Sequence, residues 1–263
     1  MEELIQKAAQ DLAKAKYAIA LTGAGISTES GIADFRGPQG VWTKDPEAER
    51  RAYRSYQRFL ENPKEWWKEA LAGRSLLGNL MDAKPNKGHF ALVDLENLGI
   101  IKAVLTQNVD ALHERAGIKR VLEYHGSFIK LRCVSCGQRF GRDKFDLDRL
   151  VQEDKLPPLC PICGGIIKSD TVGFGEPIPN DVARQSLQEA MKCDLMLICG
   201  TSAVVYPFAS LPRVARQRRG VTIIEINADP TPLTEEGISD YLIQGKTGEI
   251  LPAIVEEVKK IKK

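Results

Sequence analysis

Four of the six cysteines of this 263-residue sequence form two C-x-x-C pairs. Cys133 and Cys136 make the first pair, and Cys160 and Cys163 make the second. Four thiolates presented in this way suit a tetrahedral zinc ion and leave no coordination position for water, so the metal would be structural. A redox pair and a zinc ribbon that serves only for interactions are the alternatives.

A second group of residues able to do chemistry lies in one glycine-rich stretch, Thr22–Trp42. Gly23 and Gly25 would let the backbone turn sharply and approach a pyrophosphate, and free N–H groups at the start of a following helical segment would favour its negative charge. The dinucleotide fingerprint G-x-G-x-x-G would place a third glycine at Thr28, so the two glycines alone are weak evidence. The stretch becomes specific through the acid, aromatic ring and guanidinium just beyond them: Asp34, Phe35 and Arg36.

A general base and a polar loop complete the chemical inventory. His125 follows a predicted strand and precedes a glycine, which leaves its imidazole free to face a crevice and to take a proton from a hydroxyl. His89 and His113 fall within predicted helices, where a structural role is the commoner one. A nearby loop carries two amides and a carboxylate that could address one small polar ligand: Gln107, Asn108 and Asp110.

The elements that must position these residues follow from apolar periodicity. Residues 2–16 predict an amphipathic helix, and residues 43–85, which are charged and aromatic, predict an inserted helical module. Further helices are predicted from about 86, 180 and 207, and at the C-terminus. Short apolar runs alternate with these helices, which favours a parallel sheet covered on both faces. The predicted strands are 17–21, 101–106, 121–124, 195–199, 221–226 and 241–244.

Polar residues begin where each predicted strand ends. In open α/β sheets ligands bind outside the carboxyl ends of the strands, so these loops should converge on one crevice. The six loops begin at Thr22, Thr106, His125, Gly200, Asn227 and Gly245.

Composition argues against several classes of partner. The sequence has 37 basic and 35 acidic residues, a net charge of +2, so no strong field selects nucleic acid or a membrane. No apolar run reaches transmembrane length, and the N-terminus is acidic where a signal peptide would be basic. We therefore expect a soluble, cytoplasmic protein. We also expect it to be a monomer.

Taken together, the motifs resemble those of the sirtuins, the NAD-dependent protein deacylases. The likeness runs in order from Gly23 to about Thr247 and is carried by the glycine-rich stretch, TQNVDALHERAG, HGS, the paired C-x-x-C motifs, GFGE and GTSAVVYP. It implies an α/β fold, a Rossmann-like doubly wound parallel sheet with a smaller inserted domain. Residues 1–42, 86–127 and 168–263 would form the NAD-binding domain, with a helical module at 43–85 and a zinc-binding module at 128–167.

The resemblance also implies a reaction and a role for each matching residue. The acyl group of an acetylated lysine peptide would pass to the ADP-ribose of NAD as nicotinamide leaves. His125 would deprotonate a ribose hydroxyl, Asn108 would order the ribose or a water, and Asp110 would bind the nicotinamide amide. The implied NAD contacts are Gly23, Ala24, Gly25, Thr28, Asp34, Phe35, Arg36, Gln107, Asn108, Asp110, Gly200, Thr201, Ser202, Asn227, Ala228, Asp229 and Thr247. The implied peptide contacts are Val172, Phe174, Gly175, Glu176, Val204 and Val205.

The peptide groove departs from the sirtuin pattern. Many sirtuins carry Arg-Pro before the GFGE segment, where this chain has Lys168-Ser169, and Gly173 stands where a bulky residue often lies. We expect the peptide to add as a strand between two short extended runs, 173–176 and 203–206.

The acyl pocket should be apolar. Sirtuins that prefer succinyl or malonyl groups hold the acyl carboxylate with a tyrosine and an arginine three residues apart. Alignment on Pro63 and Trp67 places Ala70 and Gly73 there, with Arg74 one residue beyond. Acetyl and longer fatty acyl groups are therefore expected over acidic ones, since a buried carboxylate without a partner is costly.

Three other functions remain open. An NAD-dependent dehydrogenase would fit the glycine loop, but the third glycine and an acidic second strand about 20 residues on are missing. A zinc-ribbon binding module with a vestigial nucleotide site is a second alternative, although the near-neutral charge argues against nucleic acid. Mono-ADP-ribosyl transfer would share the first step of deacylation and use the same residues.

Overall fold

The computed structural model describes residues 1–72 and 80–262. Its main sheet has six parallel strands in the order β3-β2-β1-β7-β8-β9. These strands are β1 (Ala18–Thr22), β2 (Ile101–Thr106), β3 (Val121–Glu123), β7 (Leu195–Cys199), β8 (Thr222–Asn227) and β9 (Tyr241–Gln244). A second sheet, ordered β5-β4-β6, is antiparallel and contains β4 (Lys130–Cys133), β5 (Arg139–Gly141) and β6 (Ile167–Ser169).

The central strands are continuous apolar runs because both of their faces are covered. Alternate residues of β1 enter different cores: Ala18 and Ala20 face one core, and Ile19 and Leu21 face the other. The first core is closed by α1 (Glu2–Lys14), α5 (Lys87–Asn97) and α11 (Thr247–Ile261); the second is closed by α8 (Asn180–Lys192) and α9 (Leu211–Arg216). The predicted doubly wound parallel sheet is thus confirmed.

The strand order reverses at β1. The chain first adds β2 and β3 on one side of it and returns to add β7, β8 and β9 on the other. A crevice opens at such a switch point, outside the carboxyl ends of the strands.

The inserted parts of the chain pack together. Three helices come before the second sheet in the sequence: α2 (Val41–Lys44), α3 (Pro46–Glu61) and α4 (Pro63–Leu71). A fourth, α7 (Leu147–Gln152), comes between strands β5 and β6. Trp67 of α4 is buried against Leu131 and Ile167, and its Nε1 donates a hydrogen bond of 2.9 Å to the carbonyl of Ile167. The helical and zinc-binding modules therefore share one core.

Most predicted elements are present, with shifts at their ends. The predicted helix 2–16 ends at Lys14, and the first strand begins at Ala18, one residue later than expected. His113 lies in a helix as predicted, α6 (Leu112–Ala116), whereas two short helices were not predicted: α7 and α10 (Pro232–Glu235). Among the described residues, no helix combines the length and apolarity that a membrane span requires.

Candidate active site

The six loops predicted from the strand ends do converge. Residues from all of them line one cleft of about 1240 Å³ at the carboxyl edge of the main sheet. Every residue predicted for catalysis, for NAD or for the peptide lies in the lining of this cleft. Its size and mixed polar lining fit a dinucleotide together with part of a second ligand.

Gly23 and Gly25 hold the glycine loop against the end of β7 and the loop that follows it. The N–H groups of Gly23 and Gly25 are not free, because they donate to the carbonyls of Cys199 (3.1 Å) and Gly200 (2.8 Å). A Cβ atom at Gly25 would lie 2.8 Å from the Cα of Gly200, and one at Gly23 would lie 2.6 Å from the Cβ of Thr201. The two glycines are therefore required by the close approach of the loop after β7, which brings that loop to the cleft.

His125 lines the cleft as a neutral imidazole with one unprotonated nitrogen. Its Nδ1 lies 3.2 Å from the carbonyl of Gln107, and because a carbonyl can only accept, Nδ1 carries the proton of the neutral ring. Nε2 is then the basic nitrogen. Burial lowers the pKa of His125, which keeps the ring neutral near pH 7. Geometry and protonation state together suit a general base.

The loop after β2 is held by hydrogen bonds to the glycine loop. Asn108 Nδ2 donates to the carbonyl of Gly23 (3.0 Å) and to Ser27 Oγ (3.1 Å), and Ser27 Oγ donates to Asp110 Oδ2 (2.7 Å). Asp110 Oδ1 accepts from the N–H of Leu112, and burial raises the pKa of its carboxyl. Ser27 was not predicted, although it belongs to the same motif as the predicted glycines.

The buried hydroxyls of Thr22 and Thr106 also hold the loop after β2 in place. Thr22 Oγ1 donates to Thr106 Oγ1 (2.8 Å), which accepts from the N–H of Asn108 (3.0 Å). His113 Nε2 lies 2.8 Å from Thr22 Oγ1, and burial lowers the pKa of His113 well below its usual value. Burial also lowers the pKa of His89 to about 4. Both histidines therefore have the structural role expected of them.

The acid, ring and guanidinium of the glycine-rich stretch, Asp34, Phe35 and Arg36, all line the cleft. Asp34 Oδ1 accepts from the N–H of Gly37 (3.0 Å), which closes the loop on itself. The rings of Phe35 and Trp42 lie 4.7 Å apart, and the guanidinium of Arg36 lies 4.5 Å from the centre of the Trp42 ring. Contacts with Trp42 thus orient both Phe35 and Arg36 within the cleft lining.

The two segments expected to be extended are not strands. Residues 173–176 form a turn in which the N–H of Glu176 donates to the carbonyl of Gly173 (3.0 Å), and Gly175 has a positive φ of 78°. In the other segment Ala203 has a positive φ of 51°. The expectation of two preformed strand edges was wrong, because local hydrogen bonds close the first segment and a left-handed residue bends the second. Both segments nevertheless line the same cleft.

Asp170, which was not predicted, joins the zinc-binding module to the loop of the histidine. Its buried Oδ1 accepts from Arg132 Nε (2.7 Å) and Arg139 Nε (2.9 Å), and its Oδ2 accepts from the N–H of Ser127 (3.0 Å). A Cβ atom at Gly126 would lie 2.0 Å from the carbonyl oxygen of Asp170. The turn after His125 is thus fixed against the second sheet.

The four paired cysteines form one cluster. The Sγ atoms of Cys133 and Cys163 lie 3.5 Å apart, those of Cys136 and Cys160 lie 3.8 Å apart, and all four fall within 4.8 Å of one another. Zn–S bonds of about 2.3 Å in a tetrahedron require sulfur separations of roughly 3.8 Å. The cluster therefore fits one structural zinc ion. The two single cysteines, Cys193 and Cys199, are buried as expected.

Known proteins resemble the chain over its whole length. A model of the Sir2 family matches residues 23–207. The NAD-dependent protein deacylase 2 of Archaeoglobus fulgidus is 44% identical over 264 residues, covering 100% of this chain and 99% of the relative.

Two solved structures share the fold. A Sir2 homologue in complex with NAD is 40% identical with a TM-score of 0.78, covering 98% of this chain and 94% of that one. The structure of Sir2Af2 bound to a myristoylated histone peptide is 39% identical with a TM-score of 0.70, covering 100% of this chain and 99% of that one.

Proposed function

This chain belongs to the Sir2 family, and we propose from that premise that it is an NAD-dependent protein-lysine deacylase. NAD serves as co-substrate, and one zinc ion serves as a structural metal. The observation that carries the proposal is the neutral His125, which lines a cleft large enough for NAD and an acyl-lysine side chain.

Bound NAD supplies an ADP-ribose group that accepts the acyl group while nicotinamide leaves. His125 Nε2 takes the proton of a ribose hydroxyl, and the Gln107 carbonyl keeps the ring oriented. Asn108, fixed by Gly23 and Ser27, orders the ribose or a water. Asp110 receives the nicotinamide amide.

The remaining cleft residues divide between the two ligands. Phe35 and Arg36 cover the reacting ribose, and Ser202 and Asn227 hold the phosphates and the adenosine. We assign the peptide to the space between the 173–176 turn and residues 203–206. The NAD-binding domain comprises residues 1–42, 86–127 and 168–263; residues 43–85 and 128–167 form the small domain, in keeping with their shared core.

The assay that tests this function is release of nicotinamide from NAD, with and without acyl-lysine peptides. Release that requires the acyl-lysine and yields free lysine with O-acyl-ADP-ribose supports the proposal. Transfer of label from NAD to protein, without loss of the acyl group, would replace it with mono-ADP-ribosyl transfer. Reduction of NAD with an alcohol would replace it with a dehydrogenase.

The enzyme should prefer apolar acyl groups, because the acyl pocket is predicted to offer no partner for a carboxylate. Ala70 lines the cleft and offers no partner to a carboxylate, whereas Gly73 and Arg74 lie outside the described residues. We expect kcat/KM on one peptide to be higher with acetyl or decanoyl lysine than with succinyl lysine, by about tenfold or more, since an unpaired buried carboxylate is costly. The myristoylated peptide bound to Sir2Af2 supports the longer acyl chains.

The comparison of acyl groups needs a control for Arg142, a cation that could pair with a succinyl carboxylate. Arg142 also lines the cleft, and burial lowers the pKa of its guanidinium. The three acyl peptides should therefore be compared on the wild type and on Arg142→Met. A succinyl preference in the wild type would overturn the prediction, and its disappearance in Arg142→Met would identify the cation responsible.

A further inference from the structure

Lys168 is a buried cation that the reaction does not use. Its side chain is only 4% exposed. The Nζ atom donates to the carbonyls of Ser169 (2.8 Å) and Thr171 (2.6 Å) and lies 3.1 Å from Glu176 Oε2. Three oxygens therefore surround a group with three N–H donors, so the ammonium is fully satisfied.

These contacts meet at the base of the 173–176 turn. Glu176 Oε2, the oxygen that faces Lys168, also accepts a hydrogen bond of 2.8 Å from the N–H of Gly173. The N–H of Glu176 closes the turn on the carbonyl of Gly173. Between Thr171 and this turn, the N–H of Val172 donates to the carbonyl of His125 (2.8 Å). The ammonium thus holds both ends of the segment that lies next to the histidine.

The sequence of this segment departs from the pattern common in the family. A lysine stands where many sirtuins have arginine, and Gly173 leaves room for helix α3: a Cβ atom there would lie 3.3 Å from the Cβ of Tyr56. An ammonium differs from a guanidinium in one respect that matters here, because a buried lysine can lose its proton whereas arginine stays charged.

We propose that Lys168 is a positioning residue for the acylated peptide, holding the 173–176 turn in the shape that the peptide binds. The inference rests on the proposed function in one respect, since it takes this turn as a peptide contact. Removing the ammonium would leave the Glu176 carboxylate buried without its cation, and the turn would then relax toward solvent.

The groups around Lys168 determine in which direction its pKa shifts, and therefore at which end of the pH range its charge is lost. The charged or titratable groups near it are Glu176 in the turn, Asp170 after β6, Arg132 on β4 and, beside Glu176, Tyr56 on α3. Burial is the largest influence and lowers the pKa of Lys168. As the pH rises, Lys168 therefore loses its positive charge earlier than an ordinary lysine does, and Glu176 opposes this loss. Burial raises the pKa of Tyr56, so its hydroxyl loses its proton later than an ordinary tyrosine.

The test compares Lys168→Met and Lys168→Arg with the wild type. Lys155→Met serves as a control, because it makes the same substitution at an exposed lysine of the zinc-binding module. The readouts are the dissociation constant of a fluorescent acetyl-lysine peptide by anisotropy, the dissociation constant of ADP-ribose, and kcat at saturating peptide. We expect Lys168→Met to weaken peptide binding by about tenfold or more while ADP-ribose binding is unchanged. Lys168→Arg and Lys155→Met should bind the peptide within about twofold of the wild type.

The pH dependence separates positioning from general stability. As the pH is raised toward the ordinary lysine pKa, the wild type should lose peptide affinity, and Lys168→Arg should not. Normal peptide affinity in Lys168→Met, or the same alkaline loss in Lys168→Arg as in the wild type, would overturn the inference. If Lys168→Met does not fold, the comparison of wild type with Lys168→Arg still decides. A wild type that binds the peptide but does not deacylate it would count against the proposed function and leave the inference standing.

Discussion

Replacing His125 by alanine should abolish deacylation, lowering kcat by about a hundredfold or more, while NAD and the acylated peptide still bind. The ring is held by one hydrogen bond to the Gln107 carbonyl and contributes its free Nε2 to the reaction. Because burial lowers the pKa of His125, the acid limb of the wild-type rate profile should lie below the ordinary histidine range. Activity should fall as the pH drops through that lowered pKa, where the base becomes protonated.

The measurements are steady-state kcat from pH 5 to 9 and ADP-ribose and peptide binding at neutral pH. Binding close to the wild type, with a normal unfolding temperature and zinc content, shows that the substitution removes only the base. Turnover of His125→Ala near the wild-type rate would remove this residue from the mechanism. An acid limb above the ordinary histidine range would show that the base is another group.

Cys133→Ala and Cys160→Ala should each release zinc and unfold the small domain. The free energy of metal binding is part of the folding free energy of such modules. Loss of one of the four thiolates should therefore weaken zinc binding and destabilise the fold of the module together. Trp67 is buried against Leu131 and Ile167 in the same core, and its fluorescence should shift as that core opens. Loss of activity would follow indirectly, because Asp170 ties this module to the turn after His125.

Zinc content by atomic absorption and tryptophan fluorescence measure this effect. Cys193→Ala is the matched control, since it also removes a buried thiol but lies outside the cluster, and it should keep one zinc ion per chain. Purified wild-type protein without zinc would contradict the assignment. So would a Cys133→Ala protein that stays folded and active.

Sequence reasoning located the main sheet and the cleft because both depend on local signals. The strands at 101–106, 195–199 and 241–244 have the predicted bounds. The clearest signal comes from 195–199, because a strand buried on both faces is an unbroken apolar run. The cleft residues were identified because parallel strands all end at one edge, so the polar residues after them must meet.

What sequence reasoning missed depends on contacts between distant segments. The N–H groups of Gly23 and Gly25 bond to Cys199 at the end of β7 and to Gly200 after it, a contact between segments far apart in the sequence. The 173–176 segment read as extended, yet the Glu176 carboxylate and the Lys168 ammonium hold it as a turn. Asp170 gave no signal because its partners, Arg132 and Arg139, come from two other strands of the second sheet.

The strand order also has a consequence for synthesis on the ribosome. Central strand β1 lies between β2 and β7, and Ala18 pairs with Leu195, which is made much later. At roughly 5–20 residues per second, about ten seconds or more pass before β7 exists. During that time β1 has one edge with unpaired N–H and C=O groups, and the glycine loop lacks Gly200. Ribosome-bound chains arrested before Leu195 should therefore be digested by protease within the first 130 residues and bind chaperones, and chains arrested beyond β8 should be protected.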